Sequence, residues 1–451
     1  PCARDSVRGL TRENIAFTGT FKSGIFPNME ELLVVRPDYS LGFRKETPED
    51  GLPIYDERAT YSSTLDLSNQ GLKGNGTLAW LTSTAQSEDF TFLPRNTEGL
   101  AHDFNIAPVE KGIEFPDVQG RFARVNYLPY EDQLLAEMQE EPFTLFNQEA
   151  HLEGTLTIQP GGLEGSGLLN MPNASLGAQR LDLTHHTVMA DSADFNLVQD
   201  ESSSEIDFRT SNVLATVDFK SRIGNFTAHD PNNTSEFTDL LYMAYISEFS
   251  WHMDKNDIYI GSPGSDGNRF VSTHRRQDSL DFLVPLARYD AQNNKLYAQE
   301  VKYVDVADTR MFLNDGNIVI NRGAVLDPLD SVSIALNDSL HHFYNAKVQI
   351  EGKNAYEAEG LYDYINGAKA VKTITFSSIK PNDEYTTVAE GEISDRELFT
   401  FDRRFTYKGG VRLTGGHPLL HFKGGALMLH DQSVLGPNEW VRFDAEIDPE
   451  E

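Results

Sequence analysis

Apolar and polar residues alternate along most of the chain. The stretches "TLDLS" (64–68), "DIYIG" (257–261), "GNIVIN" (316–321) and "KTITFSSI" (372–379) have a period of two and are rich in Thr, Ile, Val, Tyr and Phe. Turn sequences such as "NDGN" (314–317) separate them. This combination is typical of antiparallel strands. We therefore predict an all-β fold, with repeated antiparallel strands forming an elongated β-roll, β-taco or solenoid-like stack and very little helix.

One window departs from this alternation. In "YEDQLLAEMQEE", from Tyr130 to Glu141, the apolar residues Leu134, Leu135 and Met138 recur at helical spacing. The window follows the dipeptide Leu128-Pro129 and is short. It predicts a short helix within a linker.

The chain contains an internal repeat. "TLTIQPGGLEGSGLL" (155–169) aligns with "TLDLSNQGLKGNGTL" (64–78) at an offset of 91, with 7 of 15 positions identical. The tetrapeptides "SEDF" (87–90) and "SADF" (192–195) align at an offset of 105, which predicts a 14-residue insertion in the second copy. Repeats of this length indicate supersecondary units that stack on one another.

The repeat and the helical window divide the chain into four parts. We predict a first β-repeat unit at 1–129, a short helical linker at 130–145, a second β-repeat unit at 146–235 and a C-terminal β-roll region at 236–451.

Glycines lie on the apolar face of the repeated strand. Counting by two places these residues on that face: Leu72, Gly74, Gly76, Leu78 and Trp80 in the first copy, and Leu163, Gly165, Gly167, Leu169 and Met171 in the second. Glycine inside a strand loses packing and costs backbone entropy, so it often marks a bend. We predict a tight inward bend of a roll; a local bulge without wider meaning is the alternative.

This bend suggests a ligand site. If the roll is open along one edge, six apolar side chains form a continuous surface that an acyl chain would suit. The predicted ligand-binding residues are Leu72, Leu78, Trp80, Leu163, Leu169 and Met171, with Gly74, Gly76, Gly165 and Gly167 as structural glycines.

Charge and composition exclude some functions. Lys and Arg number 38 against 69 Asp and Glu, a formal charge of −31, which argues against nucleic acid as a partner. No run of about 18 apolar residues occurs, so we predict no transmembrane helix. The single cysteine, Cys2, cannot form an internal disulfide.

Sequence signals for catalytic or metal-binding residues are weak. The patterns GxSxG, HExxH and the phosphate loop do not occur. His417, His421 and His430 form a set, but His417 and His421 in a strand would lie about 13 Å apart, too far for one metal. A polar group (Asp254, Asn256, Asp257, Asp266 and Asn268) offers oxygen ligands for Ca²⁺, but polar hairpin tips explain it better. We predict no catalytic residues, no metal and no cofactor.

Two long stretches of the chain are "GIFPNMEELLVVRPDYSLGFRKETPEDGLPIYDERATYSSTLDLSNQGLKGNGTLAWLTSTAQSEDFTFLP" (24–94) and "STHRRQDSLDFLVPLARYDAQNNKLYAQEVKYVDVADTRMFLNDGNIVI" (272–320). Both resemble very large cell-envelope proteins of Bacteroidota. In addition, "RYDAQNNKLYAQEVKYVDVADTRMF" (288–312) is similar to OstA-like lipopolysaccharide-transport proteins, and the repeated units are similar to AsmA-like envelope proteins. These resemblances imply an open β-roll, a periplasmic or cell-envelope location, and lipid, lipopolysaccharide or other envelope proteins as partners.

Two functions follow as expectations. The first is a non-enzymatic, exported envelope protein that acts as a scaffold or as a conduit for an apolar ligand, similar to lipid or lipopolysaccharide transport. The alternative is a carbohydrate-active β-solenoid enzyme or a glycan-binding surface protein, which would need exposed aromatic rows and a cleft with close carboxylates. A rigid adhesin or assembly partner is a third interpretation.

Overall fold

The structure is a computed structural model that describes residues 15–199, 205–337, 340–429 and 439–448. These residues form 38 strands and three short 3-10 turns, at Arg275–Gln277, Arg322–Ala324 and Asp395–Glu397. Every strand pair in them is antiparallel. The protein is therefore all-β with very little helix, which confirms the predicted class of repeated antiparallel strands.

The strands of the first half are β1 (Ala16–Phe21), β2 (Met29–Val35), β3 (Leu41–Glu46), β4 (Leu52–Ile54), β5 (Ala59–Ser68), β6 (Gly71–Trp80), β7 (Ser83–Phe92), β8 (Thr97–Ile106), β9 (Val118–Gly120), β10 (Ala123–Leu128), β11 (Gln133–Met138), β12 (Phe143–Leu145), β13 (Ala150–Gln159), β14 (Gly162–Met171), β15 (Ala174–Leu183), β16 (Thr187–Val198), β17 (Ile206–Asp218) and β18 (Ile223–Ala228). The strands of the second half are β19 (Thr234–Phe237), β20 (Tyr242–Tyr245), β21 (Glu248–His252), β22 (Asp257–Gly261), β23 (Asn268–Ser272), β24 (Asp281–Val284), β25 (Leu286–Asp290), β26 (Lys295–Gln299), β27 (Tyr303–Val306), β28 (Thr309–Leu313), β29 (Ile318–Asn321), β30 (Val325–Leu326), β31 (Leu329–Leu336), β32 (His342–Gly352), β33 (Ala355–Ile365), β34 (Val371–Pro381), β35 (Thr387–Ile393), β36 (Phe405–Thr414), β37 (Leu420–Met428) and β38 (Trp440–Ile447).

The chain divides into two compact units. Unit 1 comprises Pro1–Glu201 and Ser211–Phe226, and unit 2 comprises Ser202–Thr210 and Thr227–Glu451. Both copies of the sequence repeat lie in unit 1. The predicted division at 1–129, 146–235 and 236–451 stays a prediction.

The predicted helix at Tyr130–Glu141, and with it the helical linker at 130–145, is wrong. Residues Gln133–Met138 form strand β11, which pairs with β10 on one side and β13 on the other. Leu134 and Ala136 are buried there, whereas the alternate residues Gln133, Leu135 and Glu137 are more exposed. Strand pairing on both sides therefore decides the structure over an apolar spacing that also fits a helix.

The two repeats keep an offset of 91 over more of the chain than the sequence indicated. The bounds of β4, β5, β6 and β7 become those of β12, β13, β14 and β15 when 91 is added. At the same offset, "AHDFNI" (101–106) in β8 corresponds to "SADFNL" (192–197) in β16. The predicted 14-residue insertion is wrong, because the short "SEDF" match joined β7 to β16 instead of β8 to β16.

In each repeat the first long strand, β5 or β13, changes its pairing partner halfway along its length. In β13, Ala150–Leu152 pair with β12, whereas Thr155–Ile158 pair with β11. In β5, Ala59–Tyr61 pair with β4, whereas Thr64–Leu67 pair with β3. A strand that leaves one set of partners for another makes a corner.

The corner coincides with one close pair of residues, which we call the glycine crossing. In the first repeat it is Ser63 opposite Gly76, and in the second it is Gly154 opposite Gly167. A Cβ atom at Gly76 would overlap the carbonyl oxygen of Ser62, and one at Gly167 would overlap that of Glu153. The glycines therefore allow two strand backbones to approach closely where the hairpin bends.

Unit 2 contains a third glycine crossing. Its ten strands β27, β28 and β31 to β38 form a consecutive antiparallel sheet, in which Gly409 of β36 lies opposite Gly424 of β37. Gly409–Thr414 pair with β35, whereas Tyr407 donates its amide to Phe399, outside that strand. A glycine crossing thus also occurs in the hairpin of β36 and β37, which lies outside the aligned repeats.

Candidate functional site

The six predicted ligand-binding side chains lie in the core. Leu72, Leu78, Trp80, Leu163, Leu169 and Met171 are each between 0% and 7% exposed. The expected open apolar surface is therefore not present at these residues. The alternation identified the apolar face correctly, but it carried no information on what packs against that face.

Aromatic side chains of the same chain occupy the space beside the glycines of the first repeat. Tyr61 contacts Phe92 with ring centroids 4.9 Å apart, and Phe26 contacts Phe92 at the same distance. A Cβ atom at Gly74 would overlap the Tyr61 hydroxyl and lie 2.8 Å from the Phe92 ring. Gly74 therefore makes room for Tyr61, whose hydroxyl donates a hydrogen bond to the Thr64 carbonyl at 2.8 Å.

The second repeat uses aliphatic side chains for the same purpose. Leu152 stands at the position of Tyr61, and a Cβ atom at Gly165 would lie 3.3 Å from Leu152 and 3.2 Å from Leu183. Gly74 and Gly165 are both buried, whereas Gly76 and Gly167 are half-buried at the crossing. In both repeats the inner side of the bend is filled by the chain itself.

Buried tyrosines of the core have raised pKa values. Burial raises the pKa of Tyr55 to about 12, and its hydrogen bond with Thr97 partly opposes that shift. Burial likewise raises the pKa values of Tyr61 and Tyr127. These hydroxyls stay neutral at physiological pH and stabilise the core by hydrogen bonding, as Tyr55 does with the carbonyls of Leu93 and Asn96 at 2.7 Å.

The candidate metal residues are separated. His417, in the loop between β36 and β37, lies 3.5 Å from Glu446, and His421 of β37 lies 3.1 Å from Asp444, both at exposed surface. His430 lies outside the described residues. Across the described part of the chain, no three His, Cys, Asp or Glu side chains come together as a metal-binding group.

The polar group proposed for Ca²⁺ is also dispersed. Asn256 accepts a hydrogen bond from the Trp251 indole at 3.2 Å, and buried Asp257 forms an ion pair with Arg288 at 3.1 Å. Asn268 is buried and accepts a hydrogen bond from the Ser247 amide. These side chains support hairpins, while Asp266 lies in a separate cleft.

That cleft, in unit 2, was missed by the sequence analysis. It encloses about 410 Å³, a volume within the usual range of ligand pockets. Its lining comes from the loop before β23, from β23, from β24 and the residue after it, and from β27 and the segment that leads into it: Asp266, Arg269, Asp281, Phe282, Leu283, Pro285, Glu300, Lys302, Tyr303 and Asp305. No local motif signals it, because the packing of β24 near β27, which belong to different sheets, brings together residues up to about 40 positions apart.

Two glycines position the loop that forms one wall of this cleft. Gly261 and Gly267 have φ angles of +73° and +95°. A Cβ atom at Gly261 would overlap the Pro285 carbonyl oxygen, and one at Gly267 would lie 3.2 Å from the Pro285 nitrogen. The loop is further joined to the opposite wall by a 3.0 Å hydrogen bond from the Gly264 amide to Glu300. The wall is therefore defined by backbone contacts.

A second concave surface lies on the outer face of β14, β15 and β16 in unit 1 and encloses about 700 Å³. At its centre Arg180 pairs with Glu164 at 2.9 Å and with Asp182 at 3.0 Å. The equivalent positions of the first repeat hold Lys73, Asp89 and Thr91. The repeats thus share a backbone and a core but present different charges outward.

The comparisons with known proteins add no relative. No protein-family model matches the chain, and neither the curated proteins nor the solved structures contain a match. Within the described residues, no helix has the length and apolar character needed to cross a membrane.

Proposed function

We propose that this chain is a non-enzymatic, exported β-repeat protein that acts in the cell envelope as a scaffold. The observation that carries the proposal is the filled bend of unit 1. There the glycines bring strands together and Tyr61, Phe90 and Phe92, each at most 4% exposed, occupy the inner side. Closely packed hairpins of this kind suit a rigid support that offers its outward faces to partners.

The conduit version of this function receives less support. An acyl chain needs apolar surface that water or lipid can reach, whereas Leu78 and Leu169 are 1% and 0% exposed. A ligand would have to displace the aromatic contacts beside Gly74, which are worth about 0.5–1.5 kcal/mol for each ring pair beyond area burial.

Neighbouring residues of one strand allow a matched test. Leu168 is 36% exposed on the outer face of β14, and Leu169 is fully buried on the inner face. A diazirine analogue of leucine, close to leucine in shape, would be placed at either position and irradiated in the cells that make the protein. The scaffold proposal expects protein adducts from position 168 and only intramolecular adducts from position 169.

Lipid adducts from position 169 would contradict the scaffold proposal and favour the conduit. The absence of protein adducts from 168, and from Leu100 as a second outward site that is 45% exposed, would contradict it as well. Hydrogen exchange of β14 in each labelled protein serves as the folding control.

A further inference from the structure

We propose that the cleft of unit 2 binds a neutral, hydroxyl-rich ligand of the size of a disaccharide, that is, a segment of glycan. This binding site goes beyond the scaffold function, and its presence or absence leaves that function untouched. The inference is carried by an aromatic platform, by carboxylates whose orientation is already fixed, and by the balance of charge in the cleft.

The platform is formed by the outward faces of β27 and β28. Tyr303 and Phe312 are directly opposite each other in these strands, are 37% and 42% exposed, and have ring centroids 6.2 Å apart. The Arg310 guanidinium lies 4.2 Å from the Tyr303 ring centre and donates two hydrogen bonds to Asp305, at 2.7 and 3.0 Å. Tyr303 therefore has a defined position. Arg310 covers one face of its ring, and the exposed remainder offers apolar surface to the C–H groups of a sugar.

The apolar surface continues into the cleft. Phe282 and Pro285 are buried beneath it, and Leu283 is 48% exposed at its side. A purely polar ligand would leave this surface unused, whereas a sugar ring presents both C–H groups and hydroxyls. The combination of apolar surface with a few placed polar groups is typical of small-ligand sites.

Three carboxylates are oriented before any ligand arrives. Asp281 pairs with Arg269 at 3.0 Å and Lys353 at 3.4 Å, Asp305 with Arg310, and Glu300 accepts the Gly264 amide. Each ionised carboxylate has about four acceptor positions, so these contacts leave acceptors for ligand hydroxyls. Because the groups are already ordered, binding would cost less side-chain entropy.

The charge balance favours a neutral ligand. Four carboxylates and two cations line the cleft, so phosphates and carboxylates are disfavoured. A cationic ligand would meet Arg269 and Lys302, and three of the carboxylates already have partners. Among the described residues, Asp266 and Lys302 lack an ion-pair partner. Asp266 can therefore accept a hydrogen bond from a ligand hydroxyl, and Lys302 can donate one.

Saturation-transfer NMR with the full chain tests the proposal. The probes are cellobiose, maltose and N,N′-diacetylchitobiose at millimolar concentration, with pentalysine as the cationic comparison. We expect transfer to the ring protons of at least one disaccharide, and at least a fivefold weaker affinity in Tyr303→Ala. Asp266→Ala, at an exposed side chain that has no ion-pair partner among the described residues, tests the opposite wall and should also weaken binding.

Tyr297→Ala is the matched control. Tyr297 also lies beneath an arginine, with the Arg288 guanidinium 4.8 Å from its ring centre, but it is outside the cleft. Its loss should leave binding within twofold of the unaltered protein. The proposal is overturned if none of the three disaccharides binds, if both cleft variants bind as the unaltered protein does, or if pentalysine binds the cleft more tightly than they do.

Discussion

A single methyl group at the glycine crossing should destabilise the second repeat. Gly167 has a φ of +127°, and an added Cβ would overlap the Glu153 carbonyl oxygen and lie 3.0 Å from the Gly154 Cα. Both neighbours are backbone atoms, which cannot rotate away. The backbone strain costs about 1–3 kcal/mol and the overpacking about 1–3 kcal/mol, so Gly167→Ala should cost roughly 2–6 kcal/mol.

Hydrogen exchange followed by mass spectrometry is the appropriate assay. The chain has two compact units, so a single unfolding curve would mix their transitions. Peptides from β13 and β14 report the local opening free energy of the crossing. A cost of about 2 kcal/mol would speed their exchange about thirtyfold.

Gly161→Ala is the control within the same hairpin. No atom of the described residues lies within 4 Å of a Cβ atom at Gly161, and its φ is not positive. Its substitution should change the opening free energy by no more than about 0.5 kcal/mol. If Gly167→Ala exchanged no faster than Gly161→Ala, close backbone approach would not explain the glycine.

Three further predictions concern the core. Gly74→Ala should lower the opening free energy more than Gly165→Ala in the same exchange assay. The added methyl group meets the Tyr61 and Phe92 rings at Gly74, but the ends of leucine side chains, at 3.2–3.3 Å, at Gly165. Tyr61→Leu should recover part of the difference. Tyr364→Phe should leave the hydrogen exchange of β33 unchanged or slower, because the buried Tyr364 hydroxyl has no hydrogen-bond partner among the described residues, whereas Tyr407→Phe should lower the opening free energy of β36 by about 1 kcal/mol through loss of its 2.6 Å bond to Gly410; an equal effect would refute this reasoning. Burial raises the pKa values of Tyr55, Tyr364 and Tyr407 from 10.0 to about 12, so the stability they contribute is complete below pH 10 and is lost as the pH rises to 12; urea midpoints that stay constant over this range for the separate transitions of both units would contradict it.

Local sequence was sufficient for the strands and for one repeated hairpin. The period of two marked the inner face of β6 through Leu72, Leu78 and Trp80, all of which are buried. It misjudged β11, since the spacing of Leu134, Leu135 and Met138 fits a helix as well as a strand and the pairing with β10 and β13 decides between them. Local patterns do not contain that tertiary information.

The third glycine crossing had a signal that could have been used. "YKGG" (407–410) and "FKGG" (422–425) place a glycine doublet in each of two consecutive strands. The alignment with the first two copies missed it, because the residues around these doublets differ from "TLDLSNQGLKGNGTL".

The cleft and the burial of the inner face could not be predicted locally. Asp266 and Tyr303 line the same cleft because β23, β24 and β27 come together in the fold. The contacts of Gly261 and Gly267 with Pro285 then hold the loop of Asp266 in place. Likewise, the sequence shows that position 74 has no side chain, but only the fold shows that Tyr61 occupies the space this leaves.

Native mass spectrometry of the protein purified from the cells that make it tests the central claim of a filled core most directly. The scaffold account predicts the mass of the polypeptide without lipid, because Leu78, Leu169 and the other inner residues are already covered by the chain's own side chains. One acyl lipid bound per chain, retained through purification and protecting β6 and β14 from hydrogen exchange, would contradict it.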